Sequence, residues 1–210
     1  MMTPKHHTPT PPLTGLILAG GRGTRLGGVD KGLVELHERP LVEYVLDRLR
    51  PQTEAILINA NRHHERYAAY GVPVIPDLEG GFAGPLAGIA AGLAAARTDW
   101  VVVVPCDCPL LPSDLVDRLW QARCAAGADV AVAQAAGRLQ PVFALVPVTA
   151  RGELERRLRA GERKVAAWLT AQRLAVADFS DESEAFVNVN TEEERRALEA
   201  RLVPFPRPLL

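Results

Sequence analysis

The stretch LILAGGRGTRLGGVDKG, residues 16–32, decides the fold of this 210-residue chain. An apolar run typical of a buried strand ends there in a loop that contains six glycines. Because glycine in such numbers weakens any regular element, we infer that the loop needs a backbone free of side chains. A loop of this kind after a first strand exposes backbone N–H groups at the carboxyl edge of a parallel sheet, where α/β proteins bind ligands.

The charges in this loop indicate an anionic ligand. Three basic side chains, Arg22, Arg25 and Lys31, are opposed only by Asp30. That balance suits a triphosphate, with a merely flexible loop carrying solvated charges as the alternative.

Two common phosphate-binding loops do not match. The dinucleotide fingerprint G-x-G-x-x-G fails because Leu26 stands where its third glycine belongs. The Walker motif fails because Val29 stands where lysine is needed. By motif, the chain is therefore neither a Rossmann oxidoreductase nor a P-loop NTPase.

The rest of the chain alternates between apolar runs and helical patterns. Four runs predict strands buried on both faces, as in a parallel sheet: 16–19, 55–59, 72–75 and 101–104. Helices are predicted to begin at Pro40, at Pro85 and after a capping Ser113. The second half predicts strands near 129–133, 141–146 and 174–178 and helices near 150–160, 164–172 and 192–202. Thr191 and Glu194 predict a capping box on the last helix. We predict an α/β fold: a single Rossmann-like three-layer α/β/α domain with a mostly parallel central sheet.

Length and composition fit one folded domain. Hydrophobic residues make up 48% of the chain and charged residues 23%. We expect flexible Pro-rich tails at 1–12 and 204–210 around a domain at 13–203. The net charge of −1 gives no global attraction to nucleic acid or membranes. No stretch resembles a secretory signal or a membrane span, so we expect a cytoplasmic protein without nucleic-acid or membrane partners.

The three cysteines offer no recognisable redox or zinc motif. Cys106, Cys108 and Cys124 lack the C-x-x-C spacing of such sites, and no histidine is close in sequence. We expect reduced, partly buried thiols.

Polar residues follow the predicted strands at the edge where the glycine loop lies. Asp107 comes just after the strand at 101–104, where a carboxylate can hold Mg²⁺ against phosphate oxygens. Its alternative role is to form the turn before Pro109. Asn59, Asn61 and Asp77 follow two further strands, and each alone would be explained as a loop cap. Together they favour a ligand site on one rim.

These residues belong to a set of motifs that resembles a known family. LAGG, GGVDKG, NANR, GPLAGI, PCDCPLLP and FVNVNT occur in this order between Leu16 and Thr191. The set is similar to the molybdenum cofactor guanylyltransferases, within the nucleotidyltransferase superfamily of the sugar-nucleotide pyrophosphorylase type. The resemblance implies that superfamily's fold, with a first half that binds the nucleotide and a second half that binds the acceptor.

Related activities are the alternatives. Molybdopterin cytidylyltransferases tend to read LAAG and lack DKG, and sugar-1-phosphate nucleotidyltransferases tend to read LAAGxGTR followed by PK. Gly20-Gly21 and Asp30-Lys31 favour the guanylyl branch. A non-catalytic molybdopterin carrier would be expected to lose the charged residues of the site, and this chain keeps them.

The resemblance implies that GMP passes from GTP to the terminal phosphate of molybdopterin, or its molybdenum-loaded form, while pyrophosphate leaves. It implies catalytic roles for Arg25, Lys31 and Asp107, with Mg²⁺ held by Asp107. The GTP-binding residues it implies are Leu18, Ala19, Gly20, Gly21, Lys31, Asn59, Asp77 and Asp107. The candidate acceptor residues are Gln140, Arg163, Lys164, Asn188 and Asn190. For Arg163 and Lys164, an ordinary solvated helix start is the alternative. Expected partners are GTP, molybdopterin and proteins that deliver or receive the cofactor.

Overall fold

The computed structural model describes residues 7–20, 30–78 and 84–202. Within these ranges the strands are β1 (Thr14–Leu18), β2 (Glu35–Leu36), β3 (Arg39–Pro40), β4 (Ala55–Asn59), β5 (Val74–Ile75), β6 (Trp100–Pro105), β7 (Val130–Ala135), β8 (Arg138–Pro147) and β9 (Leu174–Asp178). The helices are α1 (Leu41–Leu49), α2 (His64–Ala68), α3 (Pro85–Ala95), α4 (Leu115–Ala126), α5 (Arg151–Arg159), α6 (Val165–Thr170) and α7 (Glu192–Arg201). No helix in the described ranges is both long and apolar enough to cross a membrane.

Seven strands form one central sheet in the order β5-β4-β1-β6-β8-β7-β9. The strands β5, β4, β1 and β6 are parallel to one another, and β9 is parallel to β7. Strand β8 is antiparallel to both β6 and β7. The two-residue turn Ala136-Gly137 explains this reversal, because positive φ angles of 48° and 71° are those of a tight hairpin turn.

Helices cover both faces of the sheet. Along the central strands, successive residues point to opposite faces, and both faces are buried: Ile17 and Val104 pack with α1 and α4, whereas Leu16 and Val103 pack with α3, α5 and α6. This alternation explains why the strands read as continuous apolar runs. The structure confirms the predicted three-layer α/β/α fold with a mostly parallel sheet.

Two local predictions were wrong. Ser113 does not cap a helix, since α4 begins at Leu115 with Asp114 in the N-cap position and no capping hydrogen bond from its side chain. The strand expected at 72–75 is only Val74–Ile75, and both residues are half-buried. Because β5 is the edge strand of the sheet, it pairs with β4 alone, and Val74 and Ile75 are only partly buried against the clusters on the two faces.

The first described residues contact the domain. The Thr8 amide donates to Gln121 Oε1 at 3.1 Å, and the Thr10 hydroxyl donates to Asp117 Oδ1 at 3.0 Å. Both acceptors lie on α4. The part of the predicted N-terminal tail that is described is therefore held along this helix.

Helix α3 packs unusually close to the sheet. A Cβ on Gly88 would lie 2.2 Å from Asn59 Oδ1, and one on Gly92 would lie 2.3 Å from a Leu16 methyl group. Only glycine allows this approach. The helix therefore brings its first turns directly against the polar end of β4.

Helix α7 and the segment before it pack against the first half of the chain. Its predicted capping box is present, because the Glu194 amide donates to Thr191 Oγ1 and the Thr191 amide donates to Glu194 Oε2. A third apolar cluster packs this helix and the segment before it on the hairpin β2–β3. It contains Leu36, Leu41, Tyr44, Val189 and Leu198. The packing carries FVNVNT back to the first half of the chain.

Candidate active site

The carboxyl ends of β1, β4, β5 and β6 lie side by side. Their registers align Leu18 with Asn59 and Pro105, and Asn59 with Ile75. Backbone hydrogen bonds continue just past the strands: the Ala19 amide donates to the Asn59 carbonyl at 2.8 Å, and the Cys106 amide donates to the Leu18 carbonyl at 3.1 Å. The polar residues that follow these strands therefore lie together at the carboxyl edge of the sheet, as the sequence predicts. This edge is the rim of the candidate site.

The first polar cluster joins Asn59, Asn61 and Asp77. Asn59 Nδ2 donates to Asp77 Oδ1 at 3.0 Å, and Asn61 Nδ2 donates to Asp77 Oδ2 at 2.8 Å. The Asp77 amide in turn donates to Asn61 Oδ1 at 2.9 Å. These bonds fix the carboxylate with both oxygens oriented, and each oxygen keeps further capacity to accept from a ligand.

Gly20 lies against this cluster. A Cβ there would be 3.3 Å from Asn59 Oδ1 and 3.4 Å from Asn61 Nδ2, so a side chain would crowd both amides. The backbone at the start of the glycine loop thus borders the cluster. Asn61 was not among the nucleotide-binding residues implied by the family resemblance. The N-x-N spacing after β4 is the signal that could have included it.

The second cluster is formed by Lys31, Asp107 and Asn190. Lys31 Nζ lies 3.0 Å from Asp107 Oδ2 and also donates to Asn190 Oδ1. The side chain of Asp107 is 8% exposed and that of Lys31 is 26% exposed, so the ion pair is sheltered but can be reached from solvent. An ammonium has three N–H donors, and two are used here, which leaves one for a ligand.

A buried tyrosine holds the turn that carries Lys31. The Tyr67 hydroxyl donates to Asp30 Oδ1, and both residues are buried. Burial, with smaller contributions from Cys106 and Asp30, raises the pKa of Tyr67 far above its ordinary value, so the hydroxyl stays protonated. A Cβ on Gly32 would lie 2.5 Å from the Tyr67 hydroxyl oxygen, so glycine is required there. No sequence pattern had pointed to Tyr67.

The FVNVNT segment runs beside Asp107. The Val189 amide donates to the Asp107 carbonyl at 2.9 Å, and Cys108 Sγ lies 2.8 Å from Asn188 Oδ1. Asn188 and Asn190, expected in the acceptor site, therefore lie at the Lys31–Asp107 pair.

Arg163 and Lys164 lie elsewhere, in the loop before α6. Arg163 Nη1 donates to the Leu158 and Glu162 carbonyls at 2.8 and 2.7 Å, and both basic residues are exposed. The Arg163 carbonyl is 4.0 Å from where a Cβ on Gly84 would be, so this loop borders the start of α3. A cleft of about 250 Å³ runs from Leu78 to Arg163 between α3 and α5.

Gln140 lies on β8, and Gly21 and Arg25 fall in a gap between the described ranges. Gln140 is half-buried and pairs with Ala133, just past an irregularity in the β7–β8 ladder. Gly21, Arg22 and Arg25 lie outside the described residues, so their predicted contacts with the triphosphate stay predictions.

The residues around Asp107 offer a divalent cation one carboxylate. Within the described ranges, no three His, Cys, Asp or Glu side chains converge as metal ligands. The neighbouring Cys106 and Cys108 are buried, and burial raises the pKa of both thiols well above the ordinary value, which disfavours thiolate ligands. Asp107 remains as one carboxylate, with Oδ2 paired to Lys31. One carboxylate fits Mg²⁺ that shares its shell with phosphate oxygens and water.

The sequence of this chain is similar to those of known proteins. The family described as "MobA-like NTP transferase domain" matches residues 15–177. A relative named molybdenum cofactor guanylyltransferase from Shewanella loihica is 48% identical over 189 residues, which cover 90% of this chain and 96% of that one. A relative of the same name from Cupriavidus pinatubonensis is 50% identical over 193 residues, with 90% and 96% covered.

A solved structure has the same architecture. The crystal structure of molybdopterin-guanine dinucleotide biosynthesis protein A from Archaeoglobus fulgidus matches with a TM-score of 0.75 and 26% identity. The match covers 90% of this chain and 97% of that one.

Proposed function

Because the chain belongs to the MobA-like NTP transferase family and is a nucleotidyltransferase, we propose that it transfers GMP from GTP to molybdopterin. The products are molybdopterin guanine dinucleotide and pyrophosphate, and the acceptor is molybdopterin or its molybdenum-loaded form. The observation that carries the proposal is the Lys31–Asp107 pair, which lies on the same rim as the Asn59–Asn61–Asp77 cluster. A charged cluster for phosphates and a polar cluster for a nucleoside are the two parts that such a reaction needs.

The proposed chemistry is an in-line displacement at the α-phosphorus of GTP. An oxygen of the acceptor's terminal phosphate forms the new P–O bond, and the bond from the α-phosphorus to the bridging oxygen breaks to release pyrophosphate. This displacement needs no covalent nucleophile from the protein, so the protein acts by positioning and charge stabilisation. The remaining N–H donor of Lys31 is suited to a phosphate oxygen, where charge builds up during the displacement.

Asp107 is the proposed ligand of Mg²⁺. Among the described residues, the hydrogen bond that Oδ1 accepts is the long 3.9 Å contact from Cys108 Sγ, so this oxygen has no strong hydrogen bond there. When bound there, the ion would neutralise charge on the phosphate oxygens. Arg25 is proposed to add a second positive charge from the glycine loop.

The two substrates are proposed to meet across the rim. The backbone of Leu18, Ala19, Gly20 and Gly21, with Asn59 and Asp77, binds the nucleotide. Gln140, Arg163, Lys164, Asn188 and Asn190 bind the acceptor. The contacts of Asn190 with Lys31 support a position for this residue at the reacting phosphates. Delivery or receiving proteins and a cytoplasmic location stay predictions.

The test is pyrophosphate release with defined substrates. Purified protein is incubated with Mg²⁺ and either GTP or CTP, and with molybdopterin or a sugar 1-phosphate as acceptor. We expect pyrophosphate release with GTP and molybdopterin, at a kcat/KM about a hundredfold above that with CTP. A site that hydrogen-bonds the polar edge of guanine leaves buried polar groups unpaired when cytosine binds. Equal turnover with CTP, or turnover with the sugar phosphate only, would overturn the proposal.

A further inference from the structure

The thiol of Cys108 has one near hydrogen-bond acceptor. Its Sγ lies 2.8 Å from Asn188 Oδ1, whereas Asp107 Oδ1 and the Phe186 carbonyl are 3.9 and 4.0 Å away. Cys108 is fully buried, and a thiol carries an S–H group that can donate to a side-chain oxygen. The S–H group therefore donates to the Asn188 side-chain oxygen.

This bond decides which end of the Asn188 carboxamide is available to a ligand. With Oδ1 taken, the two N–H donors of Nδ2 remain, and they have no hydrogen-bond partner in the ranges that the structure describes. The side-chain oxygen of Asn190 is also taken, because an ammonium can only donate, and Asn190 Nδ2 has a long 3.5 Å contact with the Asn188 carbonyl. Asn188 Nδ2 thus offers its donors beside Asp107.

We propose that Cys108 is a positioning residue: its thiol fixes the Asn188 carboxamide so that Nδ2 donates to an oxygen of the acceptor substrate. The assignment rests on the proposed function for the identity of that substrate. Asn188 is half-buried and close to the proposed metal ligand, so an oxygen that it binds lies near the reacting phosphates. A carboxamide free to rotate would spend part of its time with the oxygen toward that anion, which is repulsive.

Substitutions at position 108 distinguish the hydrogen-bond donor from the rest of the side chain. Serine keeps a hydroxyl donor, and the 2.8 Å separation leaves room for the shorter C–O bond within hydrogen-bonding reach. Alanine removes the donor and leaves a smaller side chain, and valine removes it and leaves a larger apolar side chain. Cys124, half-buried on α4, provides the matched control variant Cys124→Ala.

The kinetic test compares KM for the two substrates. We expect Cys108→Ala and Cys108→Val to raise the acceptor KM about three- to tenfold, the effect of one neutral hydrogen bond, with the GTP KM unchanged. Cys108→Ser and Cys124→Ala are expected to keep wild-type values. Equal losses in the serine and alanine variants, or an unchanged acceptor KM in the alanine variant, would overturn the assignment.

An NMR measurement tests the orientation without turnover. The chain has four asparagines, so labelling with ¹⁵N-asparagine yields four side-chain amide pairs, and Asn188→Ala identifies the pair of interest. We expect a high heteronuclear NOE for Asn188 Nδ2 in the wild type and in Cys108→Ser, and a lower one in Cys108→Ala. The same value in the wild type and Cys108→Ala would overturn the positioning role. If the NOE behaves as expected but the wild type does not use molybdopterin, the proposed function fails and the orientation of Asn188 by Cys108 stands.

Discussion

The hydrogen bond from Tyr67 to Asp30 can be tested by removing one hydroxyl. It joins two buried side chains, and Asp30 directly precedes Lys31 in the chain. Tyr67 is 0% exposed and Asp30 is 5% exposed, so water cannot easily replace a lost donor. Tyr67→Phe removes only the hydroxyl and leaves the ring in place. The Asp30 carboxylate then loses its one side-chain donor among the described residues.

The magnitude follows from the charge of the acceptor. A hydrogen bond to a charged group contributes about 1.5–3 kcal/mol, so Tyr67→Phe should lower the free energy of unfolding by about that amount. For a chain of this size, each kcal/mol lowers Tm by roughly 2–4 °C, which predicts a decrease of roughly 3–12 °C. Because the same turn carries Lys31, we also expect kcat to fall.

The assay is thermal and urea unfolding together with pyrophosphate release from GTP. Tyr44→Phe is the matched control, since the Tyr44 hydroxyl donates at 2.8 Å to the neutral Leu36 carbonyl, in a separate apolar cluster. That control should cost only about 0.5–1.5 kcal/mol and leave kcat unchanged. A Tyr67→Phe variant as stable and as active as the wild type would refute the reasoning.

Three further predictions concern the site. Asp107→Asn should reduce turnover by orders of magnitude with little change in Tm, because the residue lies at a strand end; near-normal turnover would contradict its role as metal ligand. Gly88→Ala should cost about 1–3 kcal/mol in stability and weaken GTP binding measured by calorimetry, since its Cβ would displace Asn59. Gly152→Ala on α5 is its control, because a Cβ there meets nothing within 4 Å, and it should leave GTP binding unchanged. Lys164→Ala should weaken acceptor binding roughly tenfold to a hundredfold without affecting GTP binding, and a loss of GTP affinity alone would show that the loop serves the nucleotide.

Local sequence patterns were sufficient to predict the central strands of this protein, the sheet edge where they end and the N-terminal cap of the last helix. The apolar runs at 16–19, 55–59 and 101–104 predict the central strands, and parallel strands bring their carboxyl ends to one edge whatever the loops do. The rim that holds Asn59 and Asp107 therefore follows from the sequence alone. So does the capping box at Thr191 and Glu194, which depends only on the spacing of those two residues.

Other features depended on contacts between distant segments. The periodicity of apolar residues along a strand or helix indicates which face of that element is buried. It does not indicate which other element packs on that face. Packing of α7 on the β2–β3 hairpin decides that Asn190 meets Lys31, 159 positions earlier in the chain. The same holds for Tyr67 and Asp30, which are 37 positions apart.

The assignment of Asn188 and Asn190 illustrates the difference. In the sequence they follow Arg163 and Lys164, and chain order alone groups all four residues as an acceptor site. The tertiary structure gives the two pairs different neighbours, because the FVNVNT segment lies beside Asp107 whereas the 163–164 loop borders the start of α3. The residue types and their strand-end positions were local properties, whereas the partners of each side chain were decided by long-range packing that no local pattern encodes.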